Sequence, residues 1–142
     1  MHLTRFTDNA LRCLIVVGLS PERVVPVPEI ADRMNMSYEH LVKIVKRLAA
    51  LGYVQTERGR HGGVRLAMDP ATLTLSEIIH ETEDNLALVE CFTGEAHGCP
   101  VSSVCRLATA LHDARAAFFD VLAQRTLADI LQPKRELVRL LR

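Results

Sequence analysis

Three of the four cysteines in this chain lie within fifteen residues, in the stretch CFTGEAHGCPVSSVC, as Cys91, Cys99 and Cys105 separated by seven and then five residues. Thiolates this close together suit a metal. Pro100 follows Cys99 as in some ferredoxin runs, which points to an iron–sulfur cluster. Zinc is a rival, because His97 in the same loop would complete a Cys₃His set, although such sites usually pair cysteines two to four residues apart. A peroxide-type thiol switch closing a disulfide from Cys91 to Cys99 or Cys105 is a third chemistry. Three partly buried thiols without a ligand are the plain alternative. Cys13, among Leu11, Leu14 and Ile15, reads as a small core residue.

A second set of residues carries positive charge. His40, Lys43 and Arg47 recur at steps of three and four with Lys46 beside them, and Arg58, Arg60, His61 and Arg65 cluster around Gly59, Gly62 and Gly63. The net charge of zero hides an asymmetry: residues 1–68 carry ten Lys/Arg against six Asp/Glu, and residues 69–142 carry seven against eleven. A basic first part and an acidic second part imply two jobs, one of them contact with phosphate.

These residues need elements to hold them. At 142 residues and 49% apolar content the chain can bury one core and is not a disordered protein. No charged-then-apolar leader is visible, and no apolar run approaches the roughly 18 residues that span a bilayer. The expected location is therefore the cytoplasm, where clustered cysteines serve metal or redox chemistry more often than structural disulfides. From Leu3 to Leu19 the sequence places Phe6, Ala10, Leu14 and Val17 on one helical face and Arg5, Asp8 and Arg12 on another. Prolines 21, 26 and 28 break that helix, and Pro28 suits the first turn of a short second one, PEIADRM. Ser37 can cap a third helix that buries Leu41, Ile44, Val45, Leu48 and Leu51 and ends at Gly52. With Ser37, Tyr38 and His40 at its start, and Lys43, Lys46 and Arg47 along its outer face, this is the reading helix of a helix-turn-helix. The hairpin YVQTERGRHGGVRLAM adds a basic tip, hence a winged helix; a helical bundle with a solvated hairpin is the rival.

Beyond Pro70 a short helix capped near Thr74 leads into the cysteines, and from Val101 to Gln124 no Pro or Gly interrupts. Val101, Val104, Leu107, Ala108, Leu111, Ala114, Phe118, Val121 and Leu122 form an apolar stripe there. Such a helix is about 36 Å long, more than so small a domain covers, so a second copy of the chain is expected to cover it. Thr126 caps a final short turn, TLADIL, and the tail KRELVRLLR is either helical or frayed. The expected fold is mainly α with a small β-hairpin. It divides into a winged helix-turn-helix DNA-binding domain (1–70), a short helix and cysteine-containing cluster loop (71–100), a dimerisation helix (101–124) and a C-terminal short helix and tail (125–142).

LTRFTDNALRCLIVV, SYEHLVKIVKRLAALGYVQTERGRHGGVRLA, the three-cysteine loop and TLADIL together resemble the iron–sulfur winged-helix regulators of the IscR/NsrR type, and within them the nitric-oxide-sensing repressors. The resemblance covers nearly the whole chain. It implies a homodimeric transcription repressor rather than an enzyme, bound to an inverted repeat of double-stranded DNA, with one iron–sulfur cluster per subunit, of the 4Fe-4S type, whose nitrosylation releases DNA. A 2Fe-2S sensor of redox state or cluster supply is the alternative within the class; a small zinc or iron–sulfur interaction or electron-transfer protein is the one outside it. Members of the IscR type use a His soon after the third cysteine, but Arg106 and Leu107 stand there and the next His is His112. Nitric-oxide-sensing members use an aspartate of the first helix, supplied by the other subunit, and Asp8 matches it. A carboxylate is a hard donor on a cluster that prefers sulfur, so Asp8 is the weak ligand, with Arg5 and Arg12 beside it as switch partners when it lets go of iron. The seven-residue gap after Cys91 is longer than the family pattern and keeps His97 and Glu95 in play as the fourth ligand.

Overall fold

The computed structural model describes residues 2–93 and 98–141. Helix α1 spans Arg5–Gly18 and is capped by the Thr4 hydroxyl, which accepts the Thr7 amide at 3.3 Å. Helix α2 covers Val27–Met34 with Pro28 in its first turn, and Asn35 stops it by turning left-handed at φ 51°. Helix α3 runs Tyr38–Ala50, and Gly52, at φ 76°, turns the chain away from it. Leu41, Ile44, Val45 and Leu48 are buried as their spacing predicts, while Leu51 is only half-buried.

Strands β1 (Val54–Glu57) and β2 (Gly63–Leu66) pair antiparallel, with Val54 opposite Leu66 and Glu57 opposite Gly63. The segment before α2, read from its prolines only as a break, also joins the wing. Val25 and Val64 exchange two main-chain hydrogen bonds of 2.8 Å on the other edge of β2. That approach dictates the glycine at 63, where a Cβ would collide with the Val25 carbonyl; at Gly62 it would strike the Glu57 carbonyl.

Helix α4 (Leu75–Thr82) starts with a capping box between Thr74 and Glu77. The next long helix, α5, spans Arg106–Ala123, eighteen residues or about 27 Å. This corrects the expected start at Val101. Pro100 and a single 3₁₀ turn at Ser102–Val104 precede α5, and the Cys105 sulfur caps it by accepting the Ala108 amide at 3.4 Å. Helix α6 (Leu127–Ile130) repeats the capping box with Thr126 and Asp129, and the tail forms a helix, α7 (Lys134–Leu140). One core holds Leu14, Ile30, Leu41, Ile44, Leu48, Leu73, Ile78 and Leu127, so α1, α2, α3, α4 and α6 close on each other. Helix α5 stands outside that core and meets α4 through the His80 and Phe119 rings, 4.1 Å apart.

Candidate metal centre and nucleic-acid interface

The exposed side of α3 begins with Ser37, whose hydroxyl makes no capping bond, and continues with Tyr38 (54% exposed), Lys43 and Lys46. Val42 is also 43% exposed on this face. The sequence reading missed it, although an apolar residue one turn beyond Tyr38 on a polar face was a usable signal, since such side chains suit the methyl groups in a major groove. Arg58, Arg60 and His61 are exposed in the loop between β1 and β2, and the Arg65 guanidinium lies 3.4 Å from both the Glu57 and the Gln55 side-chain oxygens.

Two residues expected on the outer face of α3 are placed otherwise. His40 is half-buried, its ring edge-on to Phe6 of α1 at 6.0 Å, with Nε2 shut off from solvent and without a hydrogen-bond partner. Arg47 remains half-exposed but turns onto α4, where Nη2 and Nε donate to the Glu81 carbonyl at 2.8 and 3.2 Å.

All four cysteines are free thiols. Cys13 is buried, and burial pushes its thiol up to about 12, so it stays a neutral core group. Cys91 and Cys99 are exposed and Cys105 is half-buried. Cys91 sits in a 3₁₀ turn, Glu90–Phe92, that is pinned to α5: the Phe92 ring meets His112 edge-on at 6.3 Å, and the Arg115 guanidinium lies 5.2 Å from its centre. Cys105 stands at the N-terminus of α5, where its sulfur accepts the Ala108 amide. In donor chemistry these residues fit a thiolate-held iron–sulfur group. Among the described residues no three His, Cys, Asp or Glu side chains converge on one ion position. His97 and Glu95 lie outside the described residues.

Asp8 is half-exposed on α1 and paired with Arg12, whose Nη2 and Nε reach its two oxygens at 2.9 and 3.2 Å. The groove it lines holds no cysteine among the described residues. Asp8, Arg5 and Asn9 share a groove with Asn35, Met36, Ser37 and His40, at the foot of α3.

The model of one known family, described as an iron-dependent transcriptional regulator, matches residues 3–133. The chain belongs to the Rrf2 family. Among its Rrf2 relatives, the HTH-type transcriptional regulator NsrR of Geobacillus kaustophilus is 46% identical over 143 residues, covering 100% of this chain and 97% of that protein. NsrR of Bacillus subtilis is 40% identical over 100% of this chain and 98% of its own. The solved structure of T. potens IscR superposes with a TM-score of 0.76 over 96% of this chain and 90% of that one, at 21% identity, a likeness of fold. This member of the Rrf2 family is thus a transcriptional regulator with a winged helix-turn-helix, and its relatives are regulators, not enzymes. Among the described residues no helix is long and apolar enough to cross a membrane.

Proposed function

We propose that the chain works in the cytoplasm as a homodimeric repressor of transcription that carries one iron–sulfur cluster per subunit, of the 4Fe-4S type, and responds to nitric oxide. Cys91, Cys99 and Cys105 of one subunit, with Asp8 of the partner subunit, would hold the cluster. When bound, the cluster supplies iron that reacts with nitric oxide. The observation that carries the reading is the place of Asp8, in one groove with Ser37 and His40. Whatever captures or frees this carboxylate acts beside the first turn of the reading helix. Arg12, already at 2.9 Å, is the cation to which Asp8 returns when it is free. Ser37, Tyr38 and Val42 face base edges in this reading, and Lys43, Lys46, Arg58, Arg60, His61 and Arg65 face phosphate along an inverted repeat whose half-sites lie about one helical turn apart. His40 supports the turn from beneath. By linkage, the cluster controls DNA affinity only as far as it favours the DNA-competent arrangement.

The test is anaerobic purification, with absorption and resonance Raman spectra and operator binding recorded before and after nitric oxide. Wild-type protein is expected to be brown and to lose DNA on exposure. Replacing Cys91, Cys99 or Cys105 with Ala gives colourless protein, and Cys13→Ala stays brown. A brown Cys99→Ala protein, or colourless wild type with stoichiometric zinc, overturns the reading. Asp8 is tested in heterodimers: the subunit lacking Asp8 paired with one lacking the three cysteines keeps the normal spectrum at its one complete site, and placing both defects in one subunit loses it.

A further inference from the structure

The end of α4 is where the parts of the proposed switch meet. Helix α4 is eight residues long, and the carbonyls of its last turn are among those an α-helix leaves without a partner of its own, at the negative end of its dipole. Arg47 of α3 supplies one of these partners from outside, with two of its guanidinium N–H groups on the Glu81 carbonyl and the Glu81 carboxylate a looser 3.5 Å away. Two residues on, the Glu83 carboxylate accepts the main-chain amide of Thr4 at 2.6 Å. Thr4 is the cap of α1, the helix that carries Asp8. Between them, Thr82 is buried and its hydroxyl bonds back to the Ile78 carbonyl at 2.6 Å, which fixes the turn to the core. From Glu83 the chain reaches Cys91 in eight residues. The last turn of α4 therefore touches the reading helix, the Asp8 helix and the segment that leads to the cysteines.

We propose that Arg47 is a positioning residue, which fixes the reading helix to the end of α4 so that Glu81–Glu83 becomes the junction through which the cysteine segment and α1 set the angle of α3. This rests on the regulatory reading above. A basic residue on this face would otherwise be assigned to phosphate, and the two roles differ in what a lysine can do. Lysine keeps the charge a phosphate needs, but it cannot place a planar fork on one carbonyl.

The experiment compares wild type, Arg47→Lys, Arg47→Ala and Glu83→Ala, each checked for an unchanged melting transition. The quantities read are the ratio of operator affinity with and without the cluster, and the salt slope of operator binding in cluster-free protein. In the positioning role both Arg47 variants lose at least about fivefold of that ratio, the low end of ordinary allosteric coupling. Glu83→Ala loses less in the same direction, and the salt slope stays at the wild-type value in all four. Should Arg47→Ala fail to fold, Arg47→Lys and Glu83→Ala decide between the two roles. A wild-type ratio in Arg47→Lys, or a slope in Arg47→Ala lower by about 0.9 that Lys restores, assigns the residue to phosphate and overturns the proposal alone. Equal operator affinity with and without the cluster in wild type overturns the regulatory reading and this proposal with it.

Discussion

The winged domain and α5 handle apolar surface in opposite ways. In the first, Leu14, Val16 and Val17 of α1, Ile30 of α2, Leu41, Ile44 and Leu48 of α3 and Val64 of β2 are fully buried within a single chain. In α5 no residue is buried; Leu107 is 66% and Val121 61% exposed, and Val104 just before the helix is 77% exposed. The hydrophobic effect scales with area removed from water, so the first region is stabilised by its own sequence and the second needs something outside it. In the proposed dimer a second copy covers α5, and the cluster ties down the cysteines at its start. Signal and stability then divide along the same line: the part that reads DNA is complete, and the part that senses is completed by assembly.

The contrast is broken most directly by shortening one side chain in each region. Leu14→Ala or Ile44→Ala removes a fully buried group and is expected to cost about 2–5 kcal/mol in denaturant unfolding, whatever the protein concentration. Leu107→Ala is expected to leave the unfolding of dilute protein within about 0.5 kcal/mol of wild type, as for an ordinary surface site. A large loss for Leu107→Ala in monomeric protein shows that α5 is already packed within one chain, and the distinction fails.

Charging α5 gives the next largest effect. Leu107→Asp or Val121→Asp puts a carboxylate on the uncovered face, and the dimer dissociation constant is expected to rise at least tenfold, about 1.4 kcal/mol. Sedimentation equilibrium measures it, with far-UV circular dichroism to confirm that the chain is folded. Unchanged dissociation moves the interface away from α5. On the DNA side the changes are smaller and additive. Arg60→Ala in the wing loop is expected to lower the slope of log K against log salt by about 0.9 for one lost phosphate contact, and an unaltered slope removes Arg60 from the interface.

The same division explains what could be read from the sequence. Where a side chain answers to its own helix, spacing was enough: Leu41, Ile44, Val45 and Leu48 face the core, and Thr74 and Thr126 cap the helices that follow them. Where another element decides, it was not. His40 follows the outer stripe by number, yet Phe6 of α1 stands over it, and Arg47 answers to the free carbonyls of α4. Val25 is one residue of a proline-broken segment, and only the folded wing brings Val64 to its edge. The start of α5 was misplaced because nothing in VSSV forbids a helix, while the cap is a cysteine rather than one of the usual oxygen-bearing caps. Cys91, Cys99 and Cys105 stand out by their spacing alone; the convergence with Asp8 of a second chain, as proposed, has no counterpart among the described residues of one chain.

The smallest effect is expected where α4 and α6 are stapled together. The capping boxes of α4 and α6 lie side by side, with the Leu75 amide donating to the Arg125 carbonyl and the Leu127 amide to the Leu73 carbonyl, both at 2.8 Å. Thr74→Ala removes the hydroxyl that accepts the Glu77 amide at 3.2 Å and donates to its carboxylate at 2.7 Å, and is expected to cost about 1 kcal/mol. The pH dependence sharpens this. Hydrogen bonds from the Thr74 hydroxyl and then its amide hold Glu77 below its ordinary value, and the Thr126 amide and then its hydroxyl do the same for Asp129. A carboxylate with a depressed folded value stabilises the protein fully above its unfolded value, and that contribution is lost as pH falls through the folded one. Wild type should therefore lose stability as pH drops below the ordinary carboxylate range, and Thr74→Ala should lose less, because its Glu77 has already lost the hydroxyl's share. Denaturant unfolding at neutral and acid pH measures both slopes. If the staple couples the two helices, Thr74→Ala and Thr126→Ala combined depart from the sum of the single losses by about 0.5 kcal/mol or more. Parallel pH profiles for wild type and Thr74→Ala remove the carboxylate from the account, and strict additivity leaves α4 and α6 as two independently capped helices.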